Sequence, residues 1–338
     1  MPELHITVAL PHHAPYIGAV MSEPPAFLDP ARPPVPDLVI PRALLPFHLP
    51  GRPVRGRLVR LGPLADALLT RRPTQDPVRR LTGEALALAA ALAGALKFQG
   101  SFSLQAKGDG PVGLLIADCT ETGALRGYAS TDPDRLAALL AHTPEPSAAT
   151  LLGQGYLAFT VDQGPDRERH QGIVAIEGDH LATMAGHYFT SSEQYPCQLH
   201  LAADHTVEGW RAGALVLERI AGAEGADPAL SEAARAEAWR AATTLAATLT
   251  DAELLDDRLP GETLLWRLFG TEGVAADRAR ALSFGCRCSR ARLAGILEGF
   301  DADDLDHMTV DGSIVMTCEF CNHDFRFARA ATRPRTRH

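Results

Sequence analysis

Two short stretches near the carboxyl end decide how this chain is organised. They read Phe284-Gly-Cys-Arg-Cys-Ser-Arg-Ala-Arg292 and Val315-Met-Thr-Cys-Glu-Phe-Cys-Asn-His-Asp-Phe-Arg-Phe327. The first contains a Cys-x-Cys pair and the second a Cys-x-x-Cys pair, with 29 residues between the two pairs. Each pair can supply two thiolates from one tight turn, and the intervening chain can close the site. This spacing predicts a metal centre whose ligands are Cys286, Cys288, Cys318 and Cys321.

The residue types also indicate which metal the centre holds. Four sulfur ligands in tetrahedral geometry favour zinc, and an iron site is the alternative that soft thiolates leave open. His307 and His323 lie close by in the sequence, but we do not expect them as ligands because four cysteines already complete a structural zinc site. Since no coordination position is left for water, hydrolytic catalysis at the metal is not expected.

A static zinc site that stabilises a small domain is the simplest interpretation of this cluster. The Cys-x-Cys pair favours a reactive site over a static one, because a one-residue spacing brings two thiols close enough to react with each other when metal leaves. Nearby arginines are expected to lower thiolate pKa values, and thiolates are the form that oxidants attack. They are Arg287, Arg290 and Arg292. The sequence therefore favours a zinc site that can be oxidised.

Composition limits the other functions open to the chain. It has 338 residues and a formal net charge of −9, with 32 Lys plus Arg against 41 Asp plus Glu, so general nucleic-acid binding is disfavoured. The amino terminus lacks the pattern of a secretory signal, and the apolar run Ala85–Leu96 is too short to span a bilayer. We expect a cytoplasmic protein with no membrane partner. In that compartment clustered cysteines bind metal or sense oxidants more often than they form permanent disulfides.

The stretch before the cysteines, residues 222–281, is rich in Ala, Leu and Glu and is predicted to be helical. An apolar stripe at roughly helical spacing, a capping box formed by Thr250 and Glu253, and Gly270 after a Leu-rich run support this prediction. Isolated helices of this length are marginal in water. We therefore expect a linker that is ordered only while its apolar stripe packs against another part of the protein.

Residues 45–221 are expected to form the main domain. Several short strands alternate irregularly with helices, and an almost entirely apolar helix from Glu84 to Lys97 must be covered by a sheet. This mixture predicts the α+β class, a mixed core with antiparallel sheets and packed helices. A turn at Gly108-Asp109-Gly110 could cradle a phosphate, but no nucleotide-binding motif surrounds it.

The ends of the chain and the two remaining cysteines carry little chemistry. Thirteen of the 25 prolines lie in residues 1–53, and residues 1–44 are expected to form a poorly ordered extension. The four-cysteine domain is assigned to residues 282–330 and a basic tail to residues 331–338. Cys119 and Cys197 are expected to be small buried residues rather than nucleophiles.

Together these motifs carry a family resemblance. The chain resembles the heat-shock protein 33 family of redox-regulated bacterial chaperones over roughly residues 45–327, most specifically in Cys286-x-Cys288-Ser289-Arg290, Cys318-Glu319-Phe320-Cys321 and Phe325-x-Phe327. Further matching stretches are Leu96-Lys97-Phe98, Gly108-Asp109-Gly110-Pro111, Leu152-Gly153-Gln154-Gly155-Tyr156, Glu177-Gly178-Asp179, Ser192-Glu193-Gln194 and Leu264-Leu265-Trp266-Arg267-Leu268-Phe269.

The resemblance implies an ATP-independent holdase rather than an enzyme. It implies that the reduced protein binds one zinc ion through the four cysteines and is inactive. It also implies that oxidation releases zinc, forms the disulfides Cys286–Cys288 and Cys318–Cys321, and unfolds the linker. The active form would bind unfolded client proteins and prevent their aggregation. By the same analogy the reduced protein is a monomer and the oxidised protein a homodimer.

Two other functions remain as hypotheses. A zinc ribbon that binds nucleic acid would use the basic residues near the carboxyl end, namely Arg326, Arg329, Arg333, Arg335 and Arg337. The overall negative charge and the lack of an RNA-binding aromatic motif argue against it. A thiol oxidoreductase that uses Cys318 and Cys321 would need a thioredoxin-like βαβ setting, which the sequence does not show.

Overall fold

A computed structural model describes residues 38–95, 100–164, 167, 169–192, 196–220 and 230–332, together with the backbone of residues 6–8. Its described residues fall into two units, 38–285 and 286–332, and strand 6–8 belongs to the second. Most of the proline-rich opening, residues 222–229 at the start of the predicted helical linker, and residues 333–338 of the basic tail lie outside the described residues. The linker and the predicted main domain both belong to the larger unit.

The strands of the described residues, numbered in chain order, are β1 (Ile6–Val8), β2 (Val39–His48), β3 (Val54–Arg60), β4 (Ser101–Gly108), β5 (Val112–Thr120), β6 (Ala124–Thr131), β7 (Gly155–Asp162), β8 (His170–Ala175), β9 (Cys197–Thr206), β10 (Gly209–Arg219), β11 (Ala275–Ala276), β12 (Arg280–Phe284), β13 (Ser313–Cys318) and β14 (Asp324–Ala328). Eleven of them form the sheet of the larger unit, in the order β8-β7-β4-β5-β6-β12-β2-β3-β10-β9, with β11 paired to β2. Its strand pairs are antiparallel except β6 and β12, which run parallel.

The helices of the described residues are α1 (Pro63–Leu69), α2 (Asp76–Ala93), α3 (Pro133–His142), α4 (Ala148–Leu152), α5 (Leu181–Ser191), α6 (Glu232–Ala246), α7 (Asp251–Leu255), α8 (Gly261–Phe269), α9 (Arg290–Leu297) and α10 (Ala302–His307). Irregular mixing of these helices with a largely antiparallel sheet confirms the predicted α+β class. No helix among the described residues combines the length and apolar character that crossing a bilayer requires.

Helix α2 is the central helix of the larger unit. Its residues from Ala85 to Ala93 are buried, because the helix packs on the sheet along strands that include β5, β9 and β10. Sequence analysis predicts this helix from Glu84 onward, whereas it begins at Asp76. Pro77 in its first turn accounts for the earlier start, since proline has the φ that a helix requires and lacks an N–H that would go unpaired there.

The main sheet begins before residue 45, where sequence analysis places the start of the core. Strand β2 starts at Val39 and contains Pro41, a residue that cannot donate a ladder hydrogen bond. The register between β2 and β12 shifts opposite this part of the strand, between Arg280 and Leu282. An irregular ladder at this point accommodates the proline within a paired strand.

The Gly108-Asp109-Gly110 turn binds another part of the chain. The Asp109 carboxylate accepts a hydrogen bond from the Gln154 N–H at 2.7 Å, and the Gly110 N–H donates to the Leu152 carbonyl at 2.8 Å. A Cβ on Gly110 would lie 2.4 Å from the Leu151 carbonyl oxygen, so only glycine allows this approach. This contact, rather than a phosphate, explains why glycine-rich motifs occur at both places.

The predicted helical linker contains α6, α7 and α8, and its ends follow the expected signals. Thr250 and Glu253 form the capping box of α7, and α8 ends at Phe269, directly before Gly270. Beyond α8 the prediction of helix up to residue 281 is wrong, because residues 275–276 form strand β11 and residues 280–281 begin strand β12 of the main sheet. Helical propensity is overruled there by pairing with β2.

The second unit is small and contains the two cysteine turns. Strands β13 and β14 form an antiparallel hairpin, and the backbone of β1 pairs in parallel with β13. Helix α9 packs against β14. Apart from the cysteines, its buried apolar side chains are Leu293, Leu297, Leu305, Ile314, Met316, Phe320, Phe325 and Phe327.

Candidate metal centre

The four clustered cysteines lie at the ends of regular elements. Cys286 and Cys288 occupy the short connection between β12 and α9, and Ser289 caps α9 by accepting a hydrogen bond from the Arg292 N–H at 3.2 Å. Cys318 is the last residue of β13, and Cys321 lies in the turn that leads to β14. Both pairs are therefore held in turns whose ends are fixed by a cap or a strand ladder.

The Cys-x-x-Cys turn depends on Asn322. Its N–H donates to the Cys318 carbonyl at 2.8 Å, and the Cys318 N–H donates to the His323 carbonyl at 2.9 Å. Asn322 has a φ of 55°, in the left-handed region that asparagine tolerates better than most residues. These bonds turn the chain so that the thiols of both cysteines face the same point.

The thiol sulfurs lie at distances that suit one tetrahedral ion. All four Sγ atoms are within 4.8 Å of one another, with Cys286–Cys288 and Cys288–Cys321 at 3.4 Å and Cys286–Cys318 at 3.6 Å. Zn–S bonds of about 2.3 Å give a tetrahedron with sulfur–sulfur edges of about 3.8 Å. Disulfide sulfurs are only about 2.05 Å apart. The cluster is therefore a set of four thiols with the size and chemistry that a zinc ion requires.

Contacts among the thiols separate their pKa values. The main cause of the lowered pKa of Cys318 is its hydrogen bond with Cys286. The main cause of the lowered pKa of Cys286 is its hydrogen bond with Cys288. Hydrogen bonds with Cys286 raise the pKa of both Cys288 and Cys321, and burial raises them further. Contacts within the cluster therefore favour loss of the thiol proton from Cys286 and Cys318. Because metal binding displaces thiol protons, this donor set suits a soft divalent cation.

The described arginines near the cluster do not all act as sequence analysis expects. The Arg290 guanidinium lies over the Phe327 ring, 4.5 Å from its centroid, which is a cation–π contact. Hydrogen bonds between thiols, rather than arginine charges, are the leading causes of the shifted thiol pKa values. Sequence spacing alone could not give the direction in which the arginine side chain points.

Comparison with known proteins identifies the lineage of this site. The family model described as "Hsp33 protein" matches residues 43–328, which include both cysteine pairs and the linker helices. The chain belongs to the Hsp33 family. The resemblance inferred from the cysteine motifs is thereby confirmed.

Relatives within the Hsp33 family are similar over nearly their whole length. A protein named "33 kDa chaperonin" from Caulobacter vibrioides is 41% identical over 285 residues, which cover 83% of this chain and 92% of the relative. One of the same name from Ectopseudomonas mendocina is 38% identical over 280 residues, covering 82% and 89%. The crystal structure of the Hsp33 homologue from Thermotoga maritima shares the fold, with a TM-score of 0.69 and 21% identity over 86% of this chain and 96% of that one.

Two histidines and two cysteines named by sequence analysis lie apart from the thiol cluster. The His307 ring is in contact with the Asp303 carbonyl at 2.7 Å, and His323 packs edge-on against Phe325. Cys119 is buried on β5. Cys197 begins β9, and its pKa is raised to about 12, by burial in the first place and by the Glu218 carboxylate in the second. Such a thiol is a poor nucleophile.

A separate candidate functional surface, within the larger unit, is the one on which the linker lies. We call residues 230–277 the linker segment, because they contain α6, α7, α8 and β11. Its apolar side chains pack on strands of the core, and the Phe269 ring stacks on Phe47 with 5.5 Å between centroids. The core contributes an apolar surface consisting of Leu45, Phe47, Leu49, Val54, Leu58, Ala202, Leu215 and Leu217. The linker segment contributes Ala242, Ala246, Leu249, Leu254, Leu264, Leu265, Leu268 and Phe269.

Sequence analysis predicts that the apolar stripe needs a cover and leaves the partner surface unnamed. The strands that provide it, β2, β3, β9 and β10, come from two distant parts of the chain. Alternation of apolar residues in Val54–Arg60 was a signal for a covered strand, but it did not show which helix covers it. Only the folded chain makes this pairing visible.

Proposed function

We propose that this Hsp33-family chain is a redox-regulated holdase that needs no ATP, and not an enzyme. In its reduced form it would hold one zinc ion on Cys286, Cys288, Cys318 and Cys321 and would not bind clients. Oxidation would then activate it to bind unfolded proteins in the cytoplasm and prevent their aggregation. The observation that carries this proposal is a buried four-thiol cluster in the same chain as an apolar linker segment docked on an apolar sheet surface.

In the reduced protein, turns and caps would direct the four thiols toward one point. Asn322 and the hairpin of β13 and β14 place one pair, and the Ser289 cap fixes the chain next to the other. Zinc supplies roughly 10–16 kcal/mol of apparent folding free energy at sites of this kind when it is bound. The second unit, whose described residues include few buried apolar side chains, would thereby be kept folded.

Oxidation by a peroxide uses the same four sulfurs. A thiolate attacks one peroxide oxygen, the O–O bond breaks, and the cysteine becomes a sulfenic acid as hydroxide leaves. Its partner thiolate then attacks the sulfenic sulfur, which forms the S–S bond and releases a second hydroxide, and the hydroxides become water on protonation. Two peroxide molecules oxidise four thiolates to two disulfides in this way. The proposed pairs are Cys286–Cys288 and Cys318–Cys321, as the family resemblance implies.

Oxidation of the metal ligands would affect the linker because the cysteines and the linker are connected through strand β12. Strand β12 ends at Phe284, so only Gly285 separates the main sheet from Cys286. We propose that unfolding around the cysteines destabilises β12 and releases the linker segment from the core. The apolar surface, and the apolar stripe that covers it, would then be free to bind unfolded proteins.

The holdase proposal is tested by light scattering from a thermally unfolding client. Peroxide-treated protein is expected to suppress the scattering increase at stoichiometric amounts, and protein kept in thiol reductant to leave it unchanged. ATP is omitted from all samples. Oxidised, zinc-free protein that gives no suppression would overturn the proposal.

The disulfide assignment can be tested by trypsin digestion and mass spectrometry, because Arg287 separates the first two cysteines. Cleavage there leaves Cys286 and Cys288 on different peptides, 281–287 and 288–290, which a Cys286–Cys288 disulfide keeps joined. Cys318 and Cys321 share the peptide 293–326, which should lose two hydrogens without gaining a partner. A three-peptide species would instead show pairing between the two motifs.

Substitution of a ligand tests the zinc assignment. Cys286→Ser and Cys318→Ser are each expected to lower the zinc content of purified reduced protein well below one ion per chain, because three thiolates hold zinc less tightly than four. Elemental analysis measures the content. Cys197→Ser is the matched control and should retain a full equivalent. Unchanged zinc in both ligand variants would remove these residues from the site.

Nucleic-acid binding receives less support from the structure. Arg329, one of the basic residues near the carboxyl end, donates to the Asp306 carboxylate at 2.6 Å and is partly buried. This pairing neutralises one charge of the basic group near the carboxyl end, and the chain as a whole is acidic. Unfolded proteins are therefore the proposed partners, with a reduced monomer and an oxidised homodimer as the proposed assembly.

A further inference from the structure

Ion pairs between the linker segment and the core all have the same polarity. Among the residues that the structure describes, every such pair has its base in the core and its carboxylate on the linker segment. The linker segment contains nine carboxylates and four arginines, and six of those carboxylates take part. The pairs are Arg42–Glu262, His48–Asp277, Arg52–Glu272, His200–Asp251, Arg211–Asp257 and Arg219–Glu232.

Arg60 is a further basic residue of the core that contacts the linker segment, here through backbone carbonyls. It lies on β3 and donates to the backbone carbonyls of Glu253, at 2.6 Å, and of Leu259. Burial lowers the pKa of Arg60, and the carboxylates of Asp257 and Asp256 oppose this effect. Arg211 is also almost fully buried beneath Asp257. Two of the basic groups are thus covered by the linker segment and would meet solvent when it leaves.

The arginines of the linker segment do not reverse this pattern. Arg240 pairs with Glu237 in the same helix, Arg258 pairs with Asp256, and the Arg235 side chain donates to the Leu230 carbonyl. These contacts stay within the segment. The ion pairs across the interface therefore join bases of the core to carboxylates of the linker segment, and the core carboxylates Glu84 and Glu208 also lie near it, facing Asp251 and Arg258.

We call the basic groups Arg42, His48, Arg52, Arg60, His200, Arg211 and Arg219 the cationic rim. They lie on or next to the same strands, β2, β3, β9 and β10, that provide the apolar surface. The core thus offers leucine, valine and phenylalanine side chains with arginine charges around them. The linker segment, which now covers this surface, is itself apolar and bears carboxylates.

We propose that the cationic rim selects the clients of this protein: once the linker segment leaves, the core binds apolar stretches of unfolded proteins that are flanked by Asp or Glu. This inference rests on the proposed holdase function and names the class of segment that the uncovered surface takes. The linker segment itself shows the chemistry that fits. Exposed ion pairs contribute little singly, but several charges of one sign over one surface raise the local concentration of the opposite charge.

Three peptides with the same apolar centre test this proposal. They carry Glu, Gln or Lys on both flanks, and fluorescence anisotropy measures their binding to peroxide-oxidised full-length protein. The Glu-flanked peptide is expected to bind about tenfold more tightly than the Lys-flanked one at low salt, which is within the range of a few exposed ion pairs. The Gln-flanked peptide should lie between them. High salt should reduce the differences, since it screens exposed charges.

A variant of the rim separates charge from apolar packing. Arg52→Gln combined with Arg219→Gln is expected to weaken binding of the Glu-flanked peptide several-fold and to leave the Gln-flanked peptide unchanged. The matched control is Arg169→Gln, which removes an arginine that pairs with Asp162 of β7, near the opposite end of the sheet. Circular dichroism and zinc content of the reduced variants check that folding is intact.

The possible outcomes distinguish this inference from the holdase proposal. Equal affinity for all three peptides, with suppression of aggregation intact, would overturn the rim proposal and leave the holdase function standing. Oxidised protein that binds no peptide and suppresses no aggregation would overturn both. A single-stranded oligonucleotide that displaces the Glu-flanked peptide at matched charge would show a general polyanion surface, and would also overturn selection of acidic apolar segments.

Discussion

At the scale of single residues, the backbone beside the cysteines leaves little freedom for substitution. A Cβ on Gly285 would lie 2.5 Å from backbone atoms of Ala124 and Leu125, because the chain passes β6 closely just before Cys286. Asn322 follows Cys321 with a positive φ. Neither residue has a side chain that binds metal here, yet both determine the path of the chain into the cysteine turns.

Substitutions at Asn322 test the backbone requirement. Asn322→Gly is expected to retain metal, since glycine adopts positive φ without steric cost. Asn322→Val should destabilise the turn by about 1–2 kcal/mol or more, because a β-branched residue clashes with the backbone in this conformation. Competition with a coloured chelator measures how tightly each reduced variant holds zinc. Equal retention by the two variants would contradict the assigned role of the turn.

Glu84 on α2 provides a prediction about pH. Burial in the first place, and the Asp251 carboxylate of α7 in the second, raise the pKa of Glu84 to about 8, against an opposing effect of Arg80. The folded protein therefore holds this proton more tightly than the unfolded chain. The free energy of unfolding should fall as pH rises from about 4.5, the ordinary value, to about 8.

Removal of the Glu84 charge should restore the free energy of unfolding that is lost at alkaline pH. Glu84→Gln is expected to raise the free energy of unfolding at pH 9 by roughly 2–4 kcal/mol relative to the parent, since each pKa unit corresponds to about 1.4 kcal/mol. Near pH 4.5 the two proteins should be similar. Urea unfolding at both pH values provides the measurement. Glu237→Gln, which changes an exposed glutamate of α6, is the control and should leave the pH dependence unaltered.

At the scale of elements, the linker segment is a set of short helices whose order comes from packing. Helix α7 has five residues and α8 has nine, lengths at which isolated helices do not persist in water. Capping by Thr250 and Ser231 defines where α7 and α6 begin, and burial of apolar residues on β2, β3 and β10 keeps them folded. Loss of that contact should therefore unfold the helices.

Two residues of α8 offer a matched test of this dependence. Phe269→Ala removes a fully buried ring that stacks on Phe47, and should cost about 3–5 kcal/mol. Trp266→Ala removes a ring that is 65% exposed on the same helix and should cost far less. Limited trypsin digestion of the reduced proteins should cleave after Arg258 and Arg267 more rapidly only in the Phe269 variant. Chaperone activity without oxidant should rise in that variant as well.

At the scale of the whole molecule, the two units differ in what stabilises the fold of each. The larger unit has an eleven-stranded sheet with an apolar helix packed on it. The described part of the second unit, residues 286–332 with strand 6–8, is smaller than the roughly 70–80 residues below which a hydrophobic core alone rarely suffices. Metal is the expected additional source of stability there.

Removal of metal under reducing conditions should therefore act on one unit far more than on the other. Treatment with a chelator and a thiol reductant is expected to speed amide hydrogen exchange throughout residues 290–328, while α2 and β5 stay protected. Mass spectrometry of the exchanged protein measures both units in one sample. Unchanged exchange in residues 290–328 after confirmed zinc loss would show that metal does not stabilise that unit.

What the sequence by itself determined rests on local signals. Spacing placed Cys286 and Cys288 opposite Cys318 and Cys321, a capping box marked the start of α7, and irregular mixing of strands and helices gave the α+β class. These features depend on residues close together in the chain, whose geometry is set by turns and caps. The motifs were also specific enough to indicate the family.

The tertiary structure decided which distant residues meet. Arg42 and Glu262 are separated by 220 positions, and Arg60 reaches the carbonyl of Glu253 across 193. Strand pairing overruled helical propensity at residues 275–276 and 280–281, and loop 152–154 contacts the Gly108-Asp109-Gly110 turn. Burial and long-range pairing depend on the path of the whole chain, so the surface under the linker segment and its cationic rim could be seen only in the folded protein.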